Sequence, residues 1–266
     1  MILSIIIVSF NARIDLERCL ASLRAAPPQT PHEIVVVDNG SSDGSAASAR
    51  RCAGVTVVER GDNAGFAKAN NVGIRASRGE LILLLNSDTI VPPGAIDHLV
   101  EILNARPDAA IAGPRLVDGQ GRAELSFGRT LGPLNELRQK WRTGRPRVVE
   151  ALTRRPHAPD WVSGACLLVR RADAEAVGLL DERYFMYIED VDFGVAMRER
   201  GRAVIFTPEV EVVHLRGRSA LAAPRATREA YRRSQVAYYE KRRPGWAWAL
   251  KACLRLRGEW PVRGRR

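Results

Sequence analysis

Short apolar runs alternate with amphipathic segments along the first 117 residues. Five apolar runs predict strands, at residues 3–8, 33–38, 55–59, 81–85 and 109–117. Three segments with apolar residues at helical spacing predict helices, at residues 14–26, 64–77 and 92–103, and a short alanine-rich helix follows residue 44. Strands separated by helices are typical of βαβ units, so this half predicts a mostly parallel sheet flanked by helices.

The alternation ends after residue 117. Residues 118–160 are rich in glycine, proline and basic side chains, and they predict a flexible excursion with a helix near residues 134–141. Regular patterning then returns, and it predicts strands at residues 163–169, 203–206 and 209–214 and helices at residues 171–177, 192–200 and 225–243. The pattern divides the chain into residues 1–117, residues 118–220 and a helical, basic tail at residues 221–266.

The composition is that of an ordinary globular protein, with 45% hydrophobic and 27% charged residues. The formal charge of +11 is concentrated in residues 138–155 and 241–266, and the rest of the chain is slightly acidic. No apolar run reaches the ~20 residues that span a bilayer, and the apolar N-terminal run lacks the cationic segment of a signal peptide. The four cysteines have no metal-binding spacing, which predicts reduced thiols in a cytosolic protein.

Tryptophan accompanies the basic residues of the tail. Trp246, Leu250 and Leu254 share one face of a predicted helix. Tryptophan with lysine and arginine on an amphipathic helix is typical of a membrane interface, so residues 241–266 are predicted to bind an anionic membrane surface. A helix packed on the body, with a solvated basic end, is the alternative. The chain carries no signature of a nucleic-acid-binding fold, so we expect no nucleic-acid partner.

Carboxylates follow two of the predicted central strands, where open α/β sheets bind their ligands. Asp38 precedes a small, polar turn and can accept hydrogen bonds from a base or a ribose, although a tight turn alone would also explain it. Asp88 suits a hard divalent ion such as Mg²⁺, and His214 is either a second ligand of a Mn²⁺-like ion or a structural residue. The first strand is not followed by a Gly-x-Gly-x-x-Gly turn, which disfavours a dinucleotide dehydrogenase.

A third acidic cluster comprises Glu189, Asp190 and Asp192 at the start of a predicted helix. Helix capping explains Asp192. If Glu189 and Asp190 are extended, their side chains point to opposite sides, and the one that faces a cleft can act as a general base for a hydroxyl group. Adjacent carboxylates are poorly suited to the two opposed positions of a glycosidase pair.

Six stretches resemble, in order, the family 2 inverting glycosyltransferases of the GT-A fold, particularly their bacterial rhamnosyltransferase-like branch. The stretches are residues 5–11, 35–44, 63–71, 85–88, 162–165 and 181–192. The resemblance implies an α/β fold with a GT-A-type, Rossmann-like, mostly parallel central sheet. It also implies that residues 1–117 form a nucleotide-sugar-binding half and that residues 118–220 form the acceptor and catalytic half of the same domain.

The resemblance assigns roles to individual residues. Asp190 matches the catalytic base, with Glu189 and Asp192 in support. The expected nucleotide contacts are Ser9, Asn11, Asp38, Asn63 and Lys68.

The resemblance further implies a divalent metal, Mg²⁺ or Mn²⁺, held by Asp88 and His214 against the donor diphosphate. The family's metal motif often begins with aspartate, whereas this chain has Asn86, which is therefore not an expected ligand.

The activity implied by the resemblance is transfer of a sugar, with rhamnose from dTDP-rhamnose favoured, to a hydroxyl of a cell-surface glycan or lipid-linked acceptor by a metal-assisted single displacement. The expected location is cytoplasmic, at the inner face of the cell membrane. Two alternatives remain open at this point. One is a related GT-A transferase that retains configuration or transfers a nucleotidyl group, and the other is a nucleotide-sugar-binding or scaffold protein without turnover.

Overall fold

The computed structural model describes residues 3–215 and 224–260 of the chain. The strands are β1 (Leu3–Ser9), β2 (His32–Asp38), β3 (Val55–Glu59), β4 (Leu81–Asn86), β5 (Thr89–Ile90), β6 (Ala109–Val117), β7 (Phe127–Gly128), β8 (Trp161–Val162), β9 (Cys166–Arg170) and β10 (Ala203–His214). The helices are α1 (Arg13–Ala25), α2 (Ser45–Arg50), α3 (Phe66–Ala76), α4 (Ala95–Asn104), α5 (Pro133–Thr143), α6 (Pro146–Leu152), α7 (Arg171–Ala176), α8 (Glu189–Glu199), α9 (Pro224–Arg242) and α10 (Pro244–Leu256).

Eight of the strands form one sheet in the order β3-β2-β1-β4-β9-β6-β10-β5. The pairs β2–β3, β1–β2, β1–β4 and β6–β10 are parallel. β9 is antiparallel to both β4 and β6, and β5 is antiparallel to the end of β10. The mostly parallel central sheet flanked by helices is therefore confirmed, with antiparallel pairings confined to β5 and β9.

β4 has both faces buried because helices cover the two sides of the sheet. Leu83 and Leu85 lie in a core cluster with side chains of α1 and α4, whereas Ile82 and Leu84 lie in a second cluster with side chains of α3 and α8. Successive side chains of a strand point to opposite faces. An unbroken aliphatic run therefore fits only a strand that is covered on both sides.

β10 is one strand of 12 residues, although the sequence predicted two. Its pairing with β6 is interrupted between Thr207 and Glu211. Pro208 lies in this interval and has no N–H to donate, so the ladder breaks there while the strand continues.

Residues 118–160 are more regular than their glycine and proline content predicted. The expected helix near residues 134–141 is present as α5, and α6 follows it. Leu125, Phe127 and Val149 are buried in the second core cluster, and β7 pairs with β8 to form a small antiparallel sheet. The prediction of a flexible excursion was wrong because apolar residues spaced through the segment anchor it to the body.

The C-terminal helices pack on the loop that precedes α8. Tyr238 and Tyr239 of α9 are buried there, and α10 adds the buried side chains of Ala247 and Leu254. Trp246 is 56% exposed, so the predicted face that it shares with Leu254 is only partly buried. Residues 221–223 and 261–266 of the predicted tail lie outside the described residues. Within the described residues, no helix is both long and apolar enough to cross a bilayer.

Candidate functional site

Ser9 and Asp38 lie side by side at the carboxyl ends of β1 and β2, where they are register partners. One oxygen of Asp38, Oδ2, accepts a hydrogen bond from the backbone N–H of Ser41 at 3.0 Å. The other oxygen, Oδ1, and the Ser9 hydroxyl are buried and have no hydrogen-bond partner among the described residues. Because buried polar atoms are seldom left without partners, this pair is suited to the polar groups of a ligand.

Asn11 and Asn63 brace the loop beside this pair. Asn11 Oδ1 accepts a hydrogen bond from the Ser42 backbone N–H at 2.8 Å. Asn63 Oδ1 accepts from Asn39 Nδ2 at 2.8 Å. Their side chains therefore shape the loop, and Ser9 and Asp38 offer the unused polar atoms. Lys68 is exposed on α3. The hydrogen bond from Asn71 is the main cause that lowers the pKa of the nearby Glu182, and the charge of Lys68 adds to it.

Gly65 joins the loop between β3 and α3 to the loop that precedes α8. Its φ is +86°, and a Cβ atom at this position would lie 2.2 Å from the carbonyl oxygen of Phe185. The next residue, Phe66, donates its backbone N–H to the same oxygen at 2.6 Å. The close backbone approach and the positive φ both require glycine. The hydrogen bond between Phe66 and Phe185 then fixes the position of one loop against the other.

Asp88 and His214 come together because β5 pairs antiparallel with the end of β10. Thr89 is the register partner of His214, and the backbone N–H of Leu215 donates to the Asp88 carbonyl at 2.8 Å. This pairing brings His214 Nε2 to 3.3 Å from Asp88 Oδ1. Asn86 Nδ2 is 3.5 Å from the same ring nitrogen.

Glu124 completes this group, and sequence reasoning missed it. Its Oε2 lies 3.1 Å from His214 Nδ1. Burial disfavours a charged imidazole, but the hydrogen bonds and charges of Asp88 and Glu124 outweigh burial and raise the pKa of His214 to about 9. Glu124 had no local signal, because it stands in a short stretch, residues 122–127, in which polar and apolar residues alternate.

The chemistry of this group fits a divalent cation. Asp88 offers an oxygen, and His214 would offer its Nε2 once a cation displaces the proton from that nitrogen. The carboxylate of Glu124 lies at the other ring nitrogen, Nδ1, in the carboxylate–histidine arrangement that orients metal ligands. A set with one imidazole suits Mn²⁺-like ions, whereas Mg²⁺ prefers oxygen. No group of three or more His, Cys, Asp or Glu in the described parts of the chain is arranged to hold a metal by itself.

Glu189 and Asp190 begin α8, which starts three residues earlier than predicted. The expected extended conformation was therefore wrong. The two preceding residues, Tyr187 and Ile188, have φ values of 67° and 73°, which is uncommon outside glycine and costs conformational energy at a β-branched residue. The helix still separates the two carboxylates, because successive helical residues are ~100° apart around the axis.

Asp190 is half-buried, and backbone N–H groups bind both of its oxygens. Gly164 donates to Oδ2 at 3.0 Å and Val191 donates to Oδ1 at 2.8 Å. Glu189 is 5% exposed, and its Oε2 has no hydrogen-bond partner among the described residues.

Burial, together with the neighbouring Asp190 charge, raises the pKa of Glu189 well above its usual range. Burial also raises the pKa of Asp190, although the hydrogen bonds from Gly164 and Val191 oppose this shift. Two adjacent carboxyls in one site do not ionise together easily. The N–H groups of Gly164 and Val191 favour the ionised form of Asp190, whereas burial of Glu189 favours its protonated form.

The loop at residues 163–165 links Asp190 to the end of β4. The backbone N–H of Asn86 donates to the Ala165 carbonyl at 2.9 Å, and Gly164 donates to Asp190. β4 in turn lies beside β1, and β1 lies beside β2. Adjacent strands are ~4.8 Å apart. Asp38, the Asn86–Asp88 turn and Asp190 therefore lie near one another, on the side of the sheet where β1, β2 and β4 have their carboxyl ends.

Asp192 faces a different element. It is 3% exposed, and its carboxylate accepts from Lys241 Nζ at 2.7 Å and from Arg242 Nε at 2.6 Å. These basic residues of α9 belong to the tail that was predicted to meet a membrane, and ion pairs to the body hold both of them. A cavity of about 700 Å³ lies beside these ion pairs of Asp192, and Asp38, Asp88 and Asp190 do not line it.

All four cysteines lie within the described residues and are free thiols. This agrees with the expectation of reduced cysteines.

The described architecture is the GT-A fold, as comparison with solved structures shows. The chain resembles the mannosyltransferase PcManGT of Pyrobaculum calidifontis, in complex with GDP-Man and Mn²⁺, with a TM-score of 0.63 and 20% identity over 96% of this chain and 69% of that one. It also resembles GalNAc-T7 with UDP, GalNAc and Mn²⁺, with a TM-score of 0.61 and 18% identity over 80% of this chain and 44% of that one. At these identities the likeness concerns the fold.

The family follows from the sequence match. The model of Glycosyl transferase family 2 matches residues 4–177, and the chain belongs to this family. It is 32% identical over 291 residues to the N-acetylglucosaminyl-diphospho-decaprenol L-rhamnosyltransferase of Mycobacterium tuberculosis. The alignment covers 98% of this chain and 93% of that protein. The chain is therefore a glycosyltransferase of the hexosyltransferase type, and the alternative of a protein without turnover loses its support.

Proposed function

We propose that this enzyme transfers rhamnose from dTDP-rhamnose to a hydroxyl of a cell-surface glycan or lipid-linked acceptor, with inversion at the anomeric carbon. The donor sugar and the lipid-linked acceptor are supported by the name of the mycobacterial relative, an L-rhamnosyltransferase of N-acetylglucosaminyl-diphospho-decaprenol. The observation that carries the proposal is the backbone connection from Asn86 through residues 163–165 to Asp190. This connection joins the Asn86–Asp88 turn, where the proposed metal ligand Asp88 lies, to Asp190, whose carboxylate is suited to act as a base.

Residues 1–117 are proposed to bind the donor. The unused oxygen of Asp38 and the Ser9 hydroxyl suit the ribose or base. Asn11 and Asn63 act on the nucleotide by shaping the loop around it, and Lys68 contributes an exposed positive charge for the phosphates.

Asp88 and His214 are the residues that would hold Mg²⁺ or Mn²⁺, and Glu124 would orient the imidazole. The two solved GT-A structures with bound Mn²⁺ support a divalent metal. Such an ion would supply positive charge that offsets the negative charge developing on the leaving nucleoside diphosphate.

Asp190 is proposed to remove the proton from the acceptor hydroxyl, and the oxygen then attacks the anomeric carbon from the face opposite the leaving group. The N–H groups of Gly164 and Val191 orient the carboxylate. A raised pKa makes Asp190 a stronger base than an ordinary aspartate. Glu189 supports it by staying protonated, so that no second charge competes in the same site. Asp192 supports it indirectly, by fixing α8 to α9.

Residues 118–220 are proposed to contribute the acceptor side of the site. A lipid-linked acceptor would bring the enzyme to the inner face of the cell membrane, where the tail at residues 241–266 would meet anionic lipid. The exposed Trp246 and Trp248 support this role, whereas Lys241 and Arg242 do not, because they are held in ion pairs.

A donor panel tests the proposal. Purified enzyme is given dTDP-rhamnose, dTDP-glucose, UDP-N-acetylglucosamine or GDP-mannose with a polyprenyl-diphosphate-linked acceptor, and nucleoside diphosphate release is measured. We expect acceptor-dependent release that is fastest with dTDP-rhamnose, and product with inverted anomeric configuration by NMR. Preference for another donor would contradict the rhamnose assignment. Retained configuration or nucleotidyl transfer would contradict the single displacement, and absence of release with every donor would favour a binding protein.

A further inference from the structure

Helix α5, at Pro133–Thr143, has its polarity reversed relative to an ordinary surface helix. None of its residues is fully buried. An ordinary amphipathic helix turns its apolar stripe to the core and its polar face to water. In α5 two polar side chains, Glu136 and Gln139, bind the body, and the large apolar side chains are exposed.

The side of α5 that meets the body is built from Glu136 and Gln139. Glu136 accepts hydrogen bonds from Tyr239 Oη at 2.5 Å and from the side chain of Gln235, both on α9. Gln139 donates to the Phe127 carbonyl of β7 at 3.0 Å. Glu136 and Gln139 are three residues apart and so lie on the same side of the helix.

The opposite side of α5 is apolar and exposed. Leu134, Leu137 and Trp141 are 70%, 66% and 52% exposed. Their spacing of three and four residues puts them in one stripe. Isolated exposed leucines need no explanation, but a continuous stripe of large apolar side chains marks an interaction surface.

Positive charge surrounds this stripe. Residues 133–147 contain five Lys or Arg and a single acidic residue, Glu136, which faces the body. Arg138, Lys140 and Arg145 are exposed. The guanidinium of Arg145 lies 4.1 Å from the centre of the Trp141 ring. An apolar stripe that contains tryptophan and is flanked by cations is complementary to an anionic lipid surface.

We propose that α5 is a membrane-docking helix that lies on an anionic bilayer with Leu134, Leu137 and Trp141 inserted among the lipids. The basic side chains beside the stripe would contact lipid phosphates. This surface is separate from the tail at residues 241–266.

The position of α5 gives this docking a use in the reaction. α5 follows β7 along the chain, β7 pairs with β8, and the residues just after β8 bind Asp190 through Gly164. A membrane held against α5 would therefore lie near the small β7–β8 sheet and the loop after it that binds the proposed base, as a lipid-linked acceptor requires. Only this use rests on the proposed function, because docking itself needs neither donor nor acceptor.

Vesicle co-sedimentation tests the docking helix. The full chain is mixed with vesicles of phosphatidylglycerol and phosphatidylcholine, or of phosphatidylcholine alone, without donor or acceptor. One variant carries Leu134→Ser, Leu137→Ser and Trp141→Ser, and another carries Arg138→Gln, Lys140→Gln and Arg145→Gln. A charge-matched control carries Arg24→Gln, Arg51→Gln and Arg78→Gln, which are exposed sites elsewhere on the body.

We expect the wild type to bind the anionic vesicles and both α5 variants to lose about ten-fold or more in partition coefficient. In the basic variant each removed residue alone is worth several-fold, and the apolar variant lacks the side chains that would insert among the lipids. The control variant should bind as the wild type does, and all variants should keep their thermal unfolding midpoints. Wild-type-like binding by the apolar variant, or no binding by the wild type, would overturn the proposal.

Two further measurements distinguish docking through α5 from self-association and from docking through the tail. A wild-type dimer that the apolar variant converts to a monomer in sedimentation velocity would assign the stripe to a second copy of this chain and overturn membrane docking. A Trp246→Ser and Trp248→Ser variant reports on the tail, and loss of all binding in this variant alone would move the contact from α5 to α10. Because nucleoside diphosphate release is measured separately, the docking and the transfer proposals fail independently.

Discussion

Replacing Asp192 with asparagine tests whether α9 holds α8, and with it Asp190, in position. The carboxylate of Asp192 is buried and pairs with Lys241 and Arg242 at 2.7 and 2.6 Å. Asparagine keeps the shape of the side chain but removes its charge. Each cation then keeps one other carboxylate, Asp181 for Lys241 and Glu199 for Arg242.

The expected loss of stability follows from the burial of this ion pair. Removal of one partner of a buried pair costs ~3–5 kcal/mol. The lower end applies here because both cations retain a second carboxylate and the Lys241 side chain is 27% exposed. A loss of about 3 kcal/mol corresponds to a fall in the unfolding midpoint of about 6–12 °C for a domain of this size.

Thermal unfolding followed by circular dichroism measures this fall, and steady-state kinetics measures its effect on the site. We expect kcat to fall while KM for the donor stays close to the wild-type value, because the proposed base lies on α8 and the proposed donor contacts lie at the ends of β1 and β2. Asp192→Glu should recover part of kcat. Asp108→Asn is the matched control, since it removes an equally short but exposed pair with Arg106 and should leave the midpoint unchanged. A wild-type midpoint and kcat in Asp192→Asn would refute this reasoning.

Three other substitutions have defined outcomes. Gly65→Ala should destabilise the enzyme by more than about 1 kcal/mol in urea unfolding. Gly94 has a similar φ but no atom within 4 Å of its Cβ position, so Gly94→Ala should cost less. Equal costs would contradict the close approach at Gly65. The free energy of unfolding of Glu189→Gln should rise relative to that of the wild type as the pH increases from about 4. The raised pKa of Glu189 makes its ionisation destabilising in the folded state, and glutamine cannot ionise. A difference that does not change with pH would contradict a buried, protonated carboxyl. Glu124→Gln should weaken Mn²⁺ affinity about 10–100-fold in an electron paramagnetic resonance titration, and unchanged affinity would exclude a role in orienting His214.

The sheet and the positions of several candidate site residues could be predicted from sequence because their signals are local. The five aliphatic residues of β4 require cover on both faces, and Asp38 ends β2 while Asp88 follows β4, two strands whose carboxyl ends lie on the same side of the sheet. The start of α8 could not be predicted. Its first turn follows two residues with positive φ, Tyr187 and Ile188, and neither is a residue type that signals this conformation.

Long-range contacts account for the remaining differences. Glu124 meets His214 across 90 residues of chain, and Asp192 meets Arg242 across 50, so no local pattern reports either pair. The reversed polarity of α5 has the same origin, because the partners of Glu136 lie about a hundred residues further along, on α9. An apolar stripe read alone would be assigned to the core.

Asp190→Asn provides the most direct test of the catalytic assignment. Asparagine still accepts a hydrogen bond from Gly164 but cannot accept the proton of the acceptor hydroxyl. General bases contribute about 10²–10⁴-fold, so single-turnover transfer should fall by about that factor while donor affinity, measured by calorimetry with metal present, stays at the wild-type value. Wild-type transfer by Asp190→Asn would contradict the account.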